Sequence, residues 1–265
     1  MSRIINSIKG VILFSTILCV GHCKEPIESD LEKGLRISQE TNQFNDGFFG
    51  DSSETELEII NAHGDKIVRK MSQKSMEQKG DGDRSLITFQ WPADVKGTRM
   101  LTWSHKKKND DQWLYLPSLK RVKRINSRNQ SGSFMGSEFY YEDLSSVEVE
   151  KYVHKFVKEG KINDRDVWVI DRDPVNRHSG YSKLRVYIDK VYMNPLTIEY
   201  FDRKGELLKT AKFSKYTKHG KYYRQGRIEM VNHQTGKQSN ITWSKLTLNK
   251  KYKSKEFTKN ALDSF

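Results

Sequence analysis

The stretch from Trp113 to Leu144 concentrates the side chains that could do chemistry: aromatic rings, a basic cluster and an acidic, tyrosine-rich end. The basic cluster includes Arg121 and Arg124, which follow the aromatic residues closely. Aromatic rings interleaved with arginines are what proteins use to stack on and neutralise single-stranded nucleic acid. An arginine also pairs with a buried carboxylate, or receives an anionic headgroup. The rest of the chain must distinguish these roles.

No catalytic or metal-site signature accompanies this stretch. The chain has no G-x-S-x-G elbow, no H-E-x-x-H motif and no Walker A loop. Its histidines are scattered, and no pair has the i, i+4 spacing of a metal site on a helix. Asp171 and Asp173 resemble an acid pair, but Pro174 follows them and indicates solvated residues where a strand ends. The sequence therefore predicts a protein that is not an enzyme and that uses no metal or cofactor.

The first 23 residues have the layout of a secretory signal peptide. Arg3 and Lys9 precede an apolar run of about eleven residues, which is too short to span a bilayer as a helix. Small residues at the end of this segment suit cleavage after Cys23. We therefore expect residues 1–23 to be removed on export, and residues 24–265 to fold as one domain.

An alternative is a lipoprotein signal, in which Cys23 is lipidated and anchors the protein to a membrane. The preceding His22 is not the small residue that such signals usually need. Cys19 lies in the same segment, so cleavage leaves an exported chain without any cysteine. The formal net charge of +13 then favours anionic lipid headgroups or envelope polymers as partners. Nucleic acid is excluded because an exported protein rarely meets it.

Beyond the signal, the hydrophobic pattern predicts one helix followed by a large antiparallel sheet. Apolar residues spaced along 29–42 predict a short amphipathic helix with an N-cap at its start. Later segments such as KLRVYIDK (183–190) and LTIEYF (196–201) alternate apolar with polar residues. Turn residues recur roughly every ten positions, so we expect roughly ten meandering strands.

One face of these strands carries large apolar groups, whereas the other is rich in lysine, arginine and glutamate. Burial of each such side chain is worth about 1.5–3 kcal/mol, so the sheet must curl or be covered. One short helix is too small to cover it. We therefore expect a curved antiparallel half-barrel with a helix and loop lid around an apolar cavity. A close-packed β-sandwich is the alternative.

The candidate ligand-binding residues lie on this face and in the loop that follows the basic cluster. The tripeptide Phe134-Met135-Gly136 combines apolar and flexible residues and is the candidate lip of the cavity. The residues predicted to line the cavity or its lip are Trp91, Trp103, Trp113, Tyr115, Phe134, Met135 and Phe139. Basic residues occur on both faces of the strand SLKRVKRI, so Arg121 or Arg124 needs an acidic partner or faces a headgroup at the rim. Glu142 and Asp143 are the nearest acids in sequence.

The order of several short motifs resembles a bacterial protein family. The motifs are WPAD (91–94), GT (97–98), WLYLP (113–117), Arg121 with Arg124, FMGS (134–137) and YEDL (141–144). Together they resemble the outer-membrane lipoprotein-sorting-like proteins of the LolA-like superfamily, most densely over residues 53–144.

The resemblance implies a periplasmic half-barrel whose apolar cavity shelters the acyl chain of a lipid or lipoprotein in transit, with an envelope exporter as a partner. Hiding a C16 chain at ~0.8 kcal/mol per methylene contributes on the order of 10 kcal/mol, enough to hold cargo across water. The chain is longer than true LolA chaperones, so another lipid or amphiphile is an equal candidate for the cargo. The alternative function is a non-catalytic envelope interaction module that docks through its basic face and has no cavity.

Overall fold

A computed structural model describes residues 28–263 and shows one α-helix followed by fifteen strands. The predicted signal peptide, with Cys19 and Cys23, lies outside the described residues. Helix α1 spans Asp30–Asn45. The strands are β1 Gly50–Ile60, β2 Lys66–Met76, β3 Arg84–Trp91, β4 Arg99–Trp103, β5 Asp111–Leu116, β6 Arg121–Ile125, β7 Tyr152–Ile162, β8 Arg165–Pro174, β9 Tyr181–Asp189, β10 Asn194–Asp202, β11 Leu207–Ser214, β12 Thr217–His219, β13 Tyr222–Arg224, β14 Arg227–Asn232 and β15 Gln238–Leu248. In the described part of the chain, no helix is long and apolar enough to cross a membrane.

Thirteen strands form one antiparallel sheet in the order β6-β5-β4-β3-β2-β1-β15-β14-β11-β10-β9-β8-β7, and β12 pairs with β13 separately. The sheet stays open, which confirms the predicted half-barrel class with more strands than expected. Strands β6 and β7 are consecutive in the chain but lie at opposite edges of the sheet. The connection between them, residues 126–151, therefore has to cross one face of the sheet. We call this connection the lid segment.

Helix α1 is fixed at its start by a capping box and along its length by contact with β7. The Ser29 hydroxyl accepts a hydrogen bond from the Glu32 backbone N–H, and the Glu32 carboxylate accepts one from the Ser29 N–H. Gly34 lets the helix approach β7 closely, because a Cβ there would lie 2.9 Å from the carbonyl carbon of His154. The Ser38 hydroxyl is 2.8 Å from Nδ1 of His154. These contacts confirm the predicted helix and place it against the β7 edge of the sheet.

Apolar side chains occupy both faces of the sheet. The face that contacts α1 and the lid segment, here the inner face, carries the main core. Leu184, Val186 and Ile188 share this face, as their alternation predicts. On the opposite, outer face, Leu101 packs with Phe257 from the C-terminal segment, and a further cluster forms around β8. The outer face, which was expected to be rich in lysine, arginine and glutamate, therefore also buries apolar clusters.

Candidate functional site

The lid segment is tied to the inner face by a buried lysine. Lys209 of β11 is fully buried, and its ammonium donates to Oδ2 of Asp143 at 2.8 Å and to the Glu138 carbonyl at 2.7 Å. The ammonium also lies 3.8 Å from the ring centroid of Tyr140. Asp143 accepts a further hydrogen bond from the Tyr181 hydroxyl at 2.8 Å. We call the Lys209–Asp143 pair the lid anchor.

A second attachment joins the lid segment to the loop before β9. Glu142 accepts hydrogen bonds from the Ser179 hydroxyl and the Gly180 N–H, both at 2.8 Å. Burial and the negative charge of Asp143 raise the pKa of Glu142 to about 7. The contact is too close for a side chain at position 180, where a Cβ would lie 2.8 Å from Cβ of Ser131. The lid segment therefore has a defined seat on the sheet.

Between the lid segment and strands β8–β10 the structure leaves a cleft of about 700 Å³. This volume falls within the range of about 300–1,000 Å³ that small-molecule sites occupy. The inner face contributes Arg172, Leu184, Ile198 and Tyr200 to the cleft, and Tyr152 comes from the start of β7. The mouth is lined by basic residues of two loops, Lys106, Lys107, Lys108, Arg177 and His178. The cleft thus combines an apolar and aromatic floor with a basic entrance.

Arg172 places a positive charge within this cleft. Its Nε atom is buried and has no hydrogen-bond partner among the described residues. Burial lowers the pKa of Arg172, and burial raises the pKa of Tyr152 and Tyr200 beside it, so both phenols stay neutral. The adjacent Asp171 belongs to the other face of β8, where it accepts from Arg185 at 2.7 Å. Arg172 is half-buried, and the buried Nε side of its guanidinium lacks the acceptor that a buried donor usually has.

The loop that carries the mouth lysines is held by a histidine. His105 contacts Asp81 at 2.6 Å through Nδ1 and Asp111 at 3.2 Å through Nε2. Asp110, at the end of the same loop, pairs with Lys151 at 2.5 Å. Within residues 28–263, no three histidine, cysteine, aspartate or glutamate side chains are grouped to hold a metal ion. The loop is thus fixed by ion pairs and hydrogen bonds.

The predicted lip residues are part of the core. Phe134 and Phe139 are 1% and 3% exposed and pack against the inner face with Phe89. Met135 is half-buried, and its carbonyl accepts a hydrogen bond from Arg69. The lid segment thus fills the middle of the half-barrel with its own rings. Neither the predicted lip, Phe134-Met135-Gly136, nor the candidate cavity residue Phe139 lines the cleft.

The structure does not bring the predicted tryptophans into the cleft. Trp103 and Trp113 pack edge-to-face with ring centroids 5.0 Å apart, but on the outer face, where Tyr115 joins them. The Trp103 indole N–H donates to the carbonyl of Phe257 at 2.7 Å. Trp91 is 52% exposed. Alternation correctly groups residues within a strand, but it does not show which face of the sheet the lid will cover.

The predicted pairing of the basic cluster with Asp143 is also wrong. Arg124 lies on the outer face and pairs with Asp111 of the neighbouring strand. Arg121 is exposed at the start of β6. Asp143 instead reaches Lys209, because the lid segment carries it across the inner face to β11. Arg124 and Asp143 therefore lie on opposite faces of the sheet and have different partners.

The residues that the sequence analysis missed are Arg172 and Lys209. Both lie on the apolar face of an amphipathic strand. Arg172 is two residues from the buried Ile170, and Lys209 is two residues from the buried Ala211. A basic residue on that face must be buried and must find a partner, which is the signal that identifies such positions.

Comparisons with known proteins agree with this architecture. A protein-family profile described as uncharacterized protein-like matches residues 81–264. The chain is 46% identical to an outer membrane lipoprotein-sorting protein domain from Vibrio parahaemolyticus, with a TM-score of 0.86 over 88% of this chain and 99% of that one. A DUF1329 family protein from Desulfovibrio piger gives 27% identity and a TM-score of 0.84, covering 88% of this chain and 99% of the other.

A LolA superfamily protein from Nitrosomonas europaea is more distant in sequence. It is 19% identical, with a TM-score of 0.70 over 86% of this chain and 98% of that chain, and so shows a likeness of fold alone. No curated protein matches the chain.

Proposed function

The chain belongs to the outer membrane lipoprotein-sorting-like proteins, and from this premise we propose that it is a non-catalytic periplasmic carrier or sensor with a LolA-like fold. In this proposal the cleft beneath the lid segment binds the acyl chain of a lipid or lipoprotein. The family and the predicted signal peptide support a location in the bacterial envelope. A carrier needs a donor and an acceptor, and an envelope exporter is the class of partner that we include.

The cleft is the observation that carries this proposal. Although the lid segment fills the middle of the half-barrel, a space of about 700 Å³ remains beside it. Leu184 and Ile198 present apolar surface there, and both belong to the main inner-face cluster. Each methylene that leaves water on such a surface contributes about 0.8 kcal/mol. Binding of an alkyl chain therefore needs no reaction, only apolar contact and a way in.

The lid anchor and the Glu142 contacts define how the cleft is held. Asp143 and Glu142 both line the cleft, so the residues that seat the lid also form one of its walls. Movement of the lid segment away from β11 would break the Lys209–Asp143 pair and widen the cleft. Both residues thus have a positioning role in the proposed binding site.

A titration with a dansyl-labelled fatty acid tests the proposal. We expect saturable binding by the delipidated full-length chain. We also expect Leu184→Phe and Ile198→Phe to weaken it by about ten-fold or more, because each adds bulk inside the cleft. Val153→Phe is the matched control, since Val153 is 51% exposed and does not line the cleft.

Thermal melts of each variant establish that it is folded. Binding that survives both cleft substitutions would refute the assignment of the cleft. The absence of any saturable binding by the folded, delipidated protein would refute acyl-chain carriage itself and favour the docking module.

A further inference from the structure

We propose that the cleft selects amphiphiles with an anionic headgroup, a carboxylate or a phosphate, and that Arg172 is the residue that recognises this group. The inference rests on the proposed function, because it identifies the chemical class of ligand for the same cleft. Its basis is the position of one guanidinium among groups that cannot neutralise it.

Arg172 has no counter-charge from its own surroundings. Its Nε is buried without a hydrogen-bond partner. The phenols of Tyr152 and Tyr200, which line the same cleft, are neutral, and His154 pairs with Arg172 across the β7–β8 ladder. His154 is itself held by Ser38 at 2.8 Å, and burial lowers its pKa to about 4. A buried N–H donor without an acceptor destabilises the folded protein, and an anion bound in the cleft would supply that acceptor.

The acids that line the cleft are already engaged elsewhere. Glu142 accepts from Ser179 and Gly180, and Asp143 accepts from Lys209 and Tyr181. If Glu142 or Asp143 turned towards Arg172 instead, one of these donors would be left buried without its acceptor.

The two remaining acids do not supply the missing charge either. Asp110 pairs with Lys151, and Glu150 is exposed. In all, six lysines and arginines but only four acids line the cleft. The lining of the cleft therefore has an excess of positive charge that an anionic ligand would balance.

The strand register orients such a ligand. Arg172 lies two residues from the end of β8 and pairs with Leu184 of β9. Ile198 pairs with Val186, one step further into the sheet, where Val186 is fully buried. A headgroup at Arg172 thus lies towards the basic mouth, and the alkyl chain lies over Leu184 and Ile198. Bidentate recognition of carboxylate or phosphate is what a guanidinium does best.

The test compares headgroups on one chain length. Delipidated full-length protein is titrated by calorimetry with palmitate, palmitoyl lysophosphatidate, monopalmitoylglycerol and inorganic phosphate. We expect the two anionic amphiphiles to bind at least about ten-fold more tightly than the neutral one, as charged hydrogen bonds would provide. Arg172→Met should remove this preference and leave monopalmitoylglycerol affinity unchanged. Arg203→Met, in an exposed turn, is the control for loss of one positive charge.

A second readout does not depend on binding. Because Arg172→Met removes a buried donor that has no acceptor, we expect the ligand-free variant to melt at a higher temperature than the unmodified protein. Arg172→Lys, which keeps the charge but loses the planar donors, should bind the anionic amphiphiles with intermediate affinity.

The outcomes separate the two proposals. Equal binding of neutral and anionic amphiphiles, or a preference that survives Arg172→Met, would overturn the anion inference and leave acyl-chain carriage standing. Phosphate binding without any binding of the alkyl chains would overturn carriage. It would also reduce the cleft to an anion site.

Discussion

The lid anchor gives the strongest prediction, because one buried lysine joins the lid segment to the sheet. Lys209→Met keeps a side chain of similar length but removes the ammonium. The substitution deletes the 2.8 Å pair with Asp143, the 2.7 Å hydrogen bond to the Glu138 carbonyl and the contact with the Tyr140 ring. Asp143 keeps its hydrogen bonds from the Tyr181 hydroxyl and the Tyr140 N–H. The aspartate is thus left buried with two donors and no counter-charge.

The expected loss of stability in Lys209→Met follows from the burial of both partners. Lys209 is 0% exposed and the Asp143 side chain is 6% exposed. Removing one partner of a buried ion pair costs about 3–5 kcal/mol, since the other charge stays in the interior. For a domain of this size each kcal/mol lowers the melting temperature by about 2–4 °C, so we expect a loss of about 6–20 °C.

Thermal and urea unfolding of both proteins measure this loss, and hydrogen exchange of the lid segment shows where it acts. The matched control is Lys245→Met. Lys245 pairs with Glu54 at the same distance of 2.8 Å, but the two side chains are 74% and 57% exposed. We expect the control to lose no more than about 1 kcal/mol, because solvent screens an exposed pair.

A double-mutant cycle completes the experiment. Asp143→Asn in the Lys209→Met background should cost much less than Asp143→Asn alone, since the two residues then no longer interact. Equal losses for Lys209→Met and Lys245→Met would refute the reasoning. So would strictly additive effects of the Lys209 and Asp143 substitutions.

Three other changes test the packing of α1 on β7, the pH dependence of stability and the packing of the C-terminal segment on the outer face. Gly34→Ala should destabilise the protein by about 1–3 kcal/mol in urea unfolding, because the new Cβ would lie 2.6 Å from a backbone nitrogen of β7. Gly160→Ala is the control, since the nearest atom to its new Cβ would be a Val167 methyl carbon at 3.9 Å. The raised pKa of Glu142, about 7 against an ordinary 4.5, provides stability that is full below about pH 4.5 and is lost as the pH rises through 7. Glu142→Gln should remove up to about 3 kcal/mol of that dependence, and an unchanged profile of unfolding free energy against pH would contradict the assignment. Trp103→Phe should lower the free energy of unfolding by about 1 kcal/mol and speed proteolysis of the C-terminal segment, because it deletes the 2.7 Å hydrogen bond to the Phe257 carbonyl. An unchanged cleavage rate would show that this hydrogen bond does not hold the segment.

Local chemistry in the sequence was sufficient for the elements. Of the two possible N-caps, Ser29 and Asp30, the structure uses Ser29, and α1 begins at Asp30 directly after it. Alternation in residues 183–190 correctly placed Leu184, Val186 and Ile188 on one buried face. Because one short helix cannot cover so wide a sheet, the sequence predicted an open, curved sheet, and the structure has one. These features depend on neighbours within a few residues, so the linear sequence contains them.

The candidate site was not determined in this way. The tryptophans at 103 and 113 share a face, as predicted, but the lid segment covers the other face. Arg124 and Asp143 are on opposite faces of the sheet, and Asp143 meets Lys209 across 66 residues.

The chain by itself determined the helix, the strands and the excess of apolar surface, because propensity, capping and alternation act over short distances. Only the tertiary structure decided which face became the interior, which charges met there and where a cleft remained. Those outcomes depend on how a long connection crosses from one edge of the sheet to the other, and no local pattern specifies that path.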